Sequence, residues 1–246
     1  VEFKDVTDQF ACLGVFGPKS RNLMSKISKD NFSNENFKFG TGKEIKINNK
    51  KIWAQRLSYV GELGFELYIK MSESKEIYNL IVDKGKEYSL SHCGMFAMDT
   101  MRMEKGYLHW GHDISPEENQ YEAGLKFTIS FKKNINFIGK EAIEKIKKEK
   151  VKKRMTMLTL KNSTPGSPLL LHDEPIYCED KIVGRTTSGN YSFNYNKNMS
   201  FGYINSNSSI EELAKKSYFI EVEKKKYEAN ILIQALHDPN NEFVKN

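Results

Sequence analysis

"SYVGELGFELYI", Ser58 to Ile69, is the stretch on which the fold turns. Gly61 and Gly64 mark a turn, and the residues after it alternate: Phe65, Leu67 and Ile69, with Glu66 and Tyr68 between them. Successive strand side chains point to opposite faces, so three apolar groups share one face while a carboxylate and a phenol share the other. The apolar face needs a core beneath it. The Glu66–Tyr68 face is either a solvated surface or the wall of a pocket, and spacing alone leaves both open.

Upstream, "ACLGVFGPKSRNLMSKI" predicts a strand, a Gly17–Pro18 turn and a short helix, with the proline near the helix start, where it is tolerated. "EIKINNKKIWAQRLS" predicts two strands joined at Asn48–Asn49. Downstream, "SESKEIYNLIVDKGKEYS" predicts a helix with Ser72 as N-cap and Ile77, Leu80, Ile81 and Tyr88 roughly at helical spacing. A second helix is expected over Met95 to Tyr107, with Met95, Met98 and Met101 as core filling. "YEAGLKFTISF" is expected to add a strand and "GKEAIEKIKKEK" a closing helix. Mixed strands and helices without βαβ alternation predict an α+β class.

After about residue 150 the character changes. "MTMLTL", "PIYC", "KIVGRT", "SFGYI", "SYFIEVE" and "EANILIQAL" are short strands separated by Gly, Asn, Ser and Pro. They predict a small β-barrel or sandwich. Two domains are therefore expected, 1–150 (α+β) and 151–246 (all-β), with a linker near 149–153.

Composition narrows the function classes. The 246 residues are 39% hydrophobic and 12% aromatic, which fits a globular chain and not a disordered one. No run approaches the roughly 20 apolar residues of a membrane span, so no membrane partner is expected. The opening "VEFKDVTDQF" carries no signal pattern and reads as part of something longer or as a processed product. Cys12, Cys93 and Cys178 lie far apart, which argues against a disulfide framework and a cysteine metal site and suits a reducing compartment. The net charge of +6 is uneven: "KIKKEKVKKR", Lys145 to Arg154, holds seven basic residues and one acidic one. Without interleaved aromatics it reads as a solvated helix end entering a linker, and no nucleic-acid partner is expected.

Several motifs drop out. "GTGK", Gly40 to Lys43, lacks the spacing and the Ser/Thr of a P-loop. No GxGxxG follows a strand and no GxSxG occurs, so the chain offers neither a dinucleotide fingerprint nor the simplest serine nucleophile. "HWGHD" gathers His109, His112 and Asp113, but its glycines deny it a regular ligand face; polar loop residues are expected and no metal. Cys93 has no assignable basic partner. No catalytic residue is assigned within the chain.

Four stretches, taken in order, resemble one family: "DVTDQFACLGVFGPKSRNLM", "RLSYVGELGFELYI", "DTMRMEKGYLHWGHDISPEENQYEAGLKFTISFKKNINFIGKEAI" and "VGRTTSGNYSFNYNKNMSFGYI". The chain is similar to the folate-binding aminomethyltransferase (glycine-cleavage T-protein) family, and within it to the C-terminal region of sarcosine and dimethylglycine dehydrogenases. "EKGYLHWGHD" and "HDPNNEFVK" lean toward the sarcosine enzyme. The resemblance implies the latter part of a folate-binding domain over 1–150 and the family's C-terminal barrel over 151–246.

It also implies a role for the opening strand. The pterin end of folate displays adjacent N–H donors, which one carboxylate can accept side by side, and an aromatic ring can pack on the flat heterocycle. Tyr59, Glu66, Leu67, Tyr68 and Phe127 match positions that contact tetrahydrofolate in the resembling enzymes. Aminomethyltransferases proper have an arginine where this chain has Met98; the dehydrogenases lack it too. The resemblance further implies a catalytic aspartate and a flavin (FAD) domain upstream of Val1. The expected activity is formation of 5,10-methylenetetrahydrofolate from the one-carbon unit of an oxidised N-methyl amine. The rivals are a stand-alone aminomethyltransferase or folate-dependent demethylase, a non-catalytic folate-binding protein, and an interaction module using the basic linker. The expected compartment is the bacterial cytoplasm or the mitochondrial matrix.

Overall fold

The alternation at Glu66 becomes an inner strand of an antiparallel sheet. Strands β1 (Phe10–Phe16), β2 (Thr41–Ile47), β3 (Lys50–Arg56) and β4 (Gly64–Lys70) lie in the order β1-β4-β3-β2. This computed structural model describes every residue except Asn134. It divides into two compact units, Val1–Met101 with His237–Asn246, and Arg102–Leu236.

In the first unit Phe65, Leu67 and Ile69 are fully buried, against Ile45, Ile52 and Ala54 of the neighbouring strands. Helix α1 (Ser20–Ile27) adds Leu23, Met24 and Ile27 to this core, and helix α2 (Met71–Gly85) adds Ile77 and Ile81. Burying a side chain of this size contributes about 1.5–3 kcal/mol. A one-residue slip of β4 would drive Glu66 and Tyr68 into that core, so the register is strongly fixed. The β2–β3 hairpin turns at Asn48 and Asn49, with φ of 49° and 62°. Two left-handed residues make the turn type that matches strand twist, and asparagine tolerates that conformation. Ser72 does not cap α2: the helix begins at Met71, directly after β4, and Lys70 holds the cap position without a side-chain bond. The closing segment belongs to this unit. Buried Arg56 donates to the carbonyls of Phe37 and Lys245, each at 2.6 Å.

Helix α3 (Met95–Lys105) ends where Gly106, at φ 82°, turns the chain. The Gly106 N–H donates to Met103 O and the Tyr107 N–H to Arg102 O, a paired closure that favours glycine at the left-handed position. The methionines divide differently from expectation. Met95 is 70% exposed and Met98 and Met101 are half-buried, whereas Met103 is the one fully buried.

The second unit is built on a closed antiparallel barrel. Its strands are β5 (Arg154–Leu160), β6 (Pro175–Cys178), β7 (Lys181–Ser192), β8 (Lys197–Ile204), β9 (Tyr218–Val222) and β10 (Lys225–Leu232), in the order β10-β5-β8-β7-β6-β9. Closure through β9–β10 removes every free edge, which settles the barrel-or-sandwich alternative. Leu158, Leu160, Ile176, Ile220, Ala229 and Ile231 fill the interior. Helix α4 (Lys140–Lys148) precedes the barrel.

"YEAGLKFTISF" is not a strand. Residues 121–124 are turns, with Gly124 at φ 74°, and Lys126–Thr128 is a single 3-10 turn. Its apolar residues alternate, but it pairs with no strand among the described residues, and an unpaired strand has no ladder to hold it.

Candidate functional site

On the outer face of the first unit's sheet the register sets Cys12 opposite Tyr68 and Gly14 opposite Glu66 on β1. On the other side, Trp53 and Gln55 of β3 pair with the same two residues. The Tyr68 hydroxyl donates to Glu66 Oε2 at 2.9 Å. Burial, then the hydrogen bond to Glu66 and its charge, push the Tyr68 phenol up to about 12. It therefore stays a donor at any physiological pH. Burial, with the Glu66 charge second, also raises the Cys12 thiol above its ordinary range, so it is no activated thiolate. Glu66 Oε1 has no partner among the described residues.

The five residues named from sequence have different fates. Glu66 and Tyr68 meet on one face, half-buried. Leu67 lies on the opposite face, fully buried in the core, so its contribution is to fix the strand. Tyr59 is half-buried in the loop between β3 and β4, beside buried Val60 and Leu63. Phe127 belongs to the second unit, where its ring is 80% exposed on the 3-10 turn. Met98 lines a mostly apolar cavity of about 410 Å³ along β1, together with Gly14, Phe16, Glu62, Tyr78 and His92. Glu66 does not line it; its carboxylate stands on the sheet face.

In the second unit the "HWGHD" segment has a structural task. Asp113 is fully buried and accepts from four groups. Arg102 Nη1 (2.5 Å) and the His109 N–H (2.8 Å) reach Oδ2, and the hydroxyls of Thr187 (2.6 Å) and Ser188 (2.8 Å) reach Oδ1. Arg102, equally buried, also donates to Tyr107 O and Ser188 Oγ. Glu104, two residues along, accepts from Ser192 Oγ at 2.6 Å and Asn194 Nδ2 at 2.8 Å. These bonds fasten the end of α3 and the loop after it to β7. Partners 74 and 75 residues away in sequence leave no local signal. Among the described residues no three His, Cys, Asp or Glu side chains gather as a metal-holding group, and no helix is long and apolar enough to cross a membrane.

The basic run straddles the end of α4, the segment 149–153 and the start of β5. It is partly engaged: Lys153 bonds Glu118 at 2.5 Å and lies over the Tyr203 ring, and Arg154 Nε donates to Ser208 O.

Comparison with known proteins supplies the wider setting. The family model for the GCVT N-terminal domain matches residues 1–133, and that for the glycine cleavage T-protein C-terminal barrel domain matches 153–238. Human mitochondrial dimethylglycine dehydrogenase is 37% identical over 83% of this chain and 23% of its own length. Mouse mitochondrial sarcosine dehydrogenase is 31% identical over 99% of this chain and 27% of its own. An aminomethyltransferase from Halothermothrix orenii is 32% identical over 82% of this chain and 55% of its own. The chain thus spans about a quarter of those dehydrogenases and about half of that transferase. In structure, the glycine cleavage system aminomethyltransferase T of Bartonella henselae superposes with a TM-score of 0.78, covering 94% of this chain and 60% of that one at 19% identity, a likeness of fold.

Proposed function

Because this chain belongs to the glycine-cleavage T-protein family of aminomethyltransferases, we propose that its Glu66–Tyr68 face holds the pterin end of tetrahydrofolate. One observation carries the reading: Glu66 is pinned at Oε2 by Tyr68, while Oε1 has no partner among the described residues. The residues present fit the group. An aminopyrimidinone ring offers neighbouring N–H donors, and a carboxylate held at a fixed angle accepts them with a charge-assisted geometry that also sets the ring's orientation. Tyr68 keeps Glu66 from rotating, and Trp53, across from Tyr68 and 47% exposed, offers an aromatic surface. Tyr59 and Phe127 remain part of the proposed contact set. Tetrahydrofolate, when bound, supplies the nitrogens that accept a one-carbon unit. What this chain does for that chemistry is orientation, which lowers the entropic share of the barrier.

The finer reading is that the chain forms part of a sarcosine or dimethylglycine dehydrogenase-like enzyme. In it a flavin domain outside these 246 residues oxidises a methylated amine, and 5,10-methylenetetrahydrofolate is the product here. Met98, in place of the transferase arginine, favours this over a stand-alone aminomethyltransferase of the glycine cleavage system, a folate-dependent demethylase or a non-catalytic folate-binding protein. The functional division falls near residue 150, in keeping with matched regions that end at 133 and resume at 153. The compartment follows the enzyme class, mitochondrial matrix or bacterial cytoplasm. Neither nucleic acid nor membrane is a partner.

The 246 residues alone turn nothing over, because they contain no flavin fingerprint and Glu66 is occupied in binding. The test combines the purified chain, formaldehyde and tetrahydrofolate, and follows methylenetetrahydrofolate against the uncatalysed background. A rate clearly above that background overturns the inactivity. The binding site is tested by titrating tetrahydrofolate into the intact protein and its Glu66→Gln variant. Weakened binding is expected, and equal affinities would overturn the assignment.

A further inference from the structure

Next to Glu66 the sheet carries two glycines, neither of which has the left-handed backbone that would call for glycine. Gly14 is the cross-strand partner of Glu66, and Gly64, two residues before Glu66 on β4, pairs with Phe16. All four share one face of the sheet. A Cβ at Gly64 would lie 2.1 Å from Phe16 Cδ1, and one at Gly14 would lie 2.4 Å from Phe16 Cε2. The Phe16 ring therefore rests directly on the two glycine backbones. The glycines are spatial: they let an aromatic ring settle on the sheet beside a carboxylate. At the other side of Glu66, Trp53 does the same, its Cζ2 2.7 Å from where a Cβ at Gly42 would stand.

Resting on the folate reading above, we propose that Phe16 is a specificity-determining residue of the same site. Its ring, seated on Gly14 and Gly64, forms the wall of a shallow slot that admits the planar aminopyrimidinone half of the pterin to Glu66. The Phe16 ring stands where a Cβ of Gly14 would be, directly across from Glu66, so it bounds the β1 side of the carboxylate. A side chain at Gly14 would push the Phe16 ring off its seat and so disturb the wall beside Glu66. The ligand class follows: planar, with adjacent N–H donors along one edge. Recognition at this position is indifferent to the benzoylglutamate tail.

The experiment measures affinity of the intact protein for tetrahydrofolate and for a tail-less tetrahydropterin. The variants are Phe16→Ala, Phe16→Tyr, Gly14→Ala and Glu66→Gln, with thermal unfolding recorded for each. Loss of an aromatic wall is expected to weaken both ligands by about tenfold in Phe16→Ala. Gly14→Ala should weaken both at least as much, and Phe16→Tyr should restore wild-type affinity. Should Phe16→Ala fail to fold, Gly14→Ala and Phe16→Tyr still decide. If Glu66→Gln weakens binding while Phe16→Ala and Gly14→Ala leave it unchanged, the slot is wrong and the folate reading stands. If Glu66→Gln itself has no effect, the folate reading fails. A loss confined to tetrahydrofolate, sparing the tail-less pterin, would place Phe16 against the tail and overturn the proposal.

Discussion

Two of the carboxylates that accept from hydroxyl donors, Asp113 and Glu66, stand in opposite circumstances. Asp113, in the barrel unit, is fully buried and accepts from four donors, one a buried guanidinium. Glu66, on the sheet of the other unit, has one phenol on one oxygen and a second oxygen without a partner among the described residues. A carboxylate whose lone pairs are consumed by its own chain has nothing to offer a ligand and much to lose if disturbed. One held by a single donor on a half-buried face is oriented but unspent. Chemistry alike in type thus separates into architecture and recognition by the count of satisfied lone pairs.

The largest expected effect falls on the architectural side. Asp113→Ala leaves the Arg102 guanidinium buried without its counter-charge, and should destabilise the barrel unit by about 3–5 kcal/mol. Denaturant unfolding followed by far-UV circular dichroism measures it. A loss below about 1 kcal/mol would erase the contrast with Glu66. Glu104→Ala strands Ser192 Oγ and Asn194 Nδ2 and should cost about 1–3 kcal/mol in the same measurement.

Tyr68 sharpens the other side. Its folded pKa is raised, to about 12 against an ordinary 10, so the neutral phenol is the form that folding favours. The stability it contributes is fully present below about pH 10 and is lost as pH rises through about 12. A difference ultraviolet titration of wild type against Tyr68→Phe should show no ionisation of this phenol until about pH 12, and earlier ionisation in Glu66→Gln. Tyr68→Phe should weaken tetrahydrofolate binding by only about 0.5–1.5 kcal/mol, because it frees Glu66 to rotate without removing the acceptor. The smallest effect belongs to the basic run. Replacing Lys145, Lys147 and Lys148 with glutamine should move stability by no more than about 0.5 kcal/mol. Any binding of a short duplex should be weak and collapse with salt; sequence-selective submicromolar binding at physiological salt would contradict it.

What the sequence disclosed follows the range of the interactions involved. The alternation of 64–70, the Asn48–Asn49 turn and the six barrel strands are local patterns, and each appears where periodicity or turn chemistry puts it. Asp113 was legible only as part of a polar loop, since its partners Thr187 and Ser188 are brought to it by the barrel. The segment 121–131 has the composition of a strand without a partner to pair with. Met95 and Met103 differ in burial although both sit on α3, because helix spacing gives a stripe and only packing decides which part of it is covered. Phe16 was unreadable for a related reason: its place depends on glycines at positions 14 and 64, a cross-strand relation that exists only once the register is known.

The central claim is that Glu66 is a recognition group and not a structural one. It is tested most directly by measuring, on one preparation of intact Glu66→Ala protein, both tetrahydrofolate affinity by calorimetric titration and the unfolding free energy. Binding should weaken by about 2–4 kcal/mol, the cost of leaving pterin donors unpaired, while stability falls by no more than about 1.5 kcal/mol, the worth of the lost Tyr68 hydrogen bond. Unchanged affinity together with a clear loss of stability would contradict the claim and class Glu66 with Asp113.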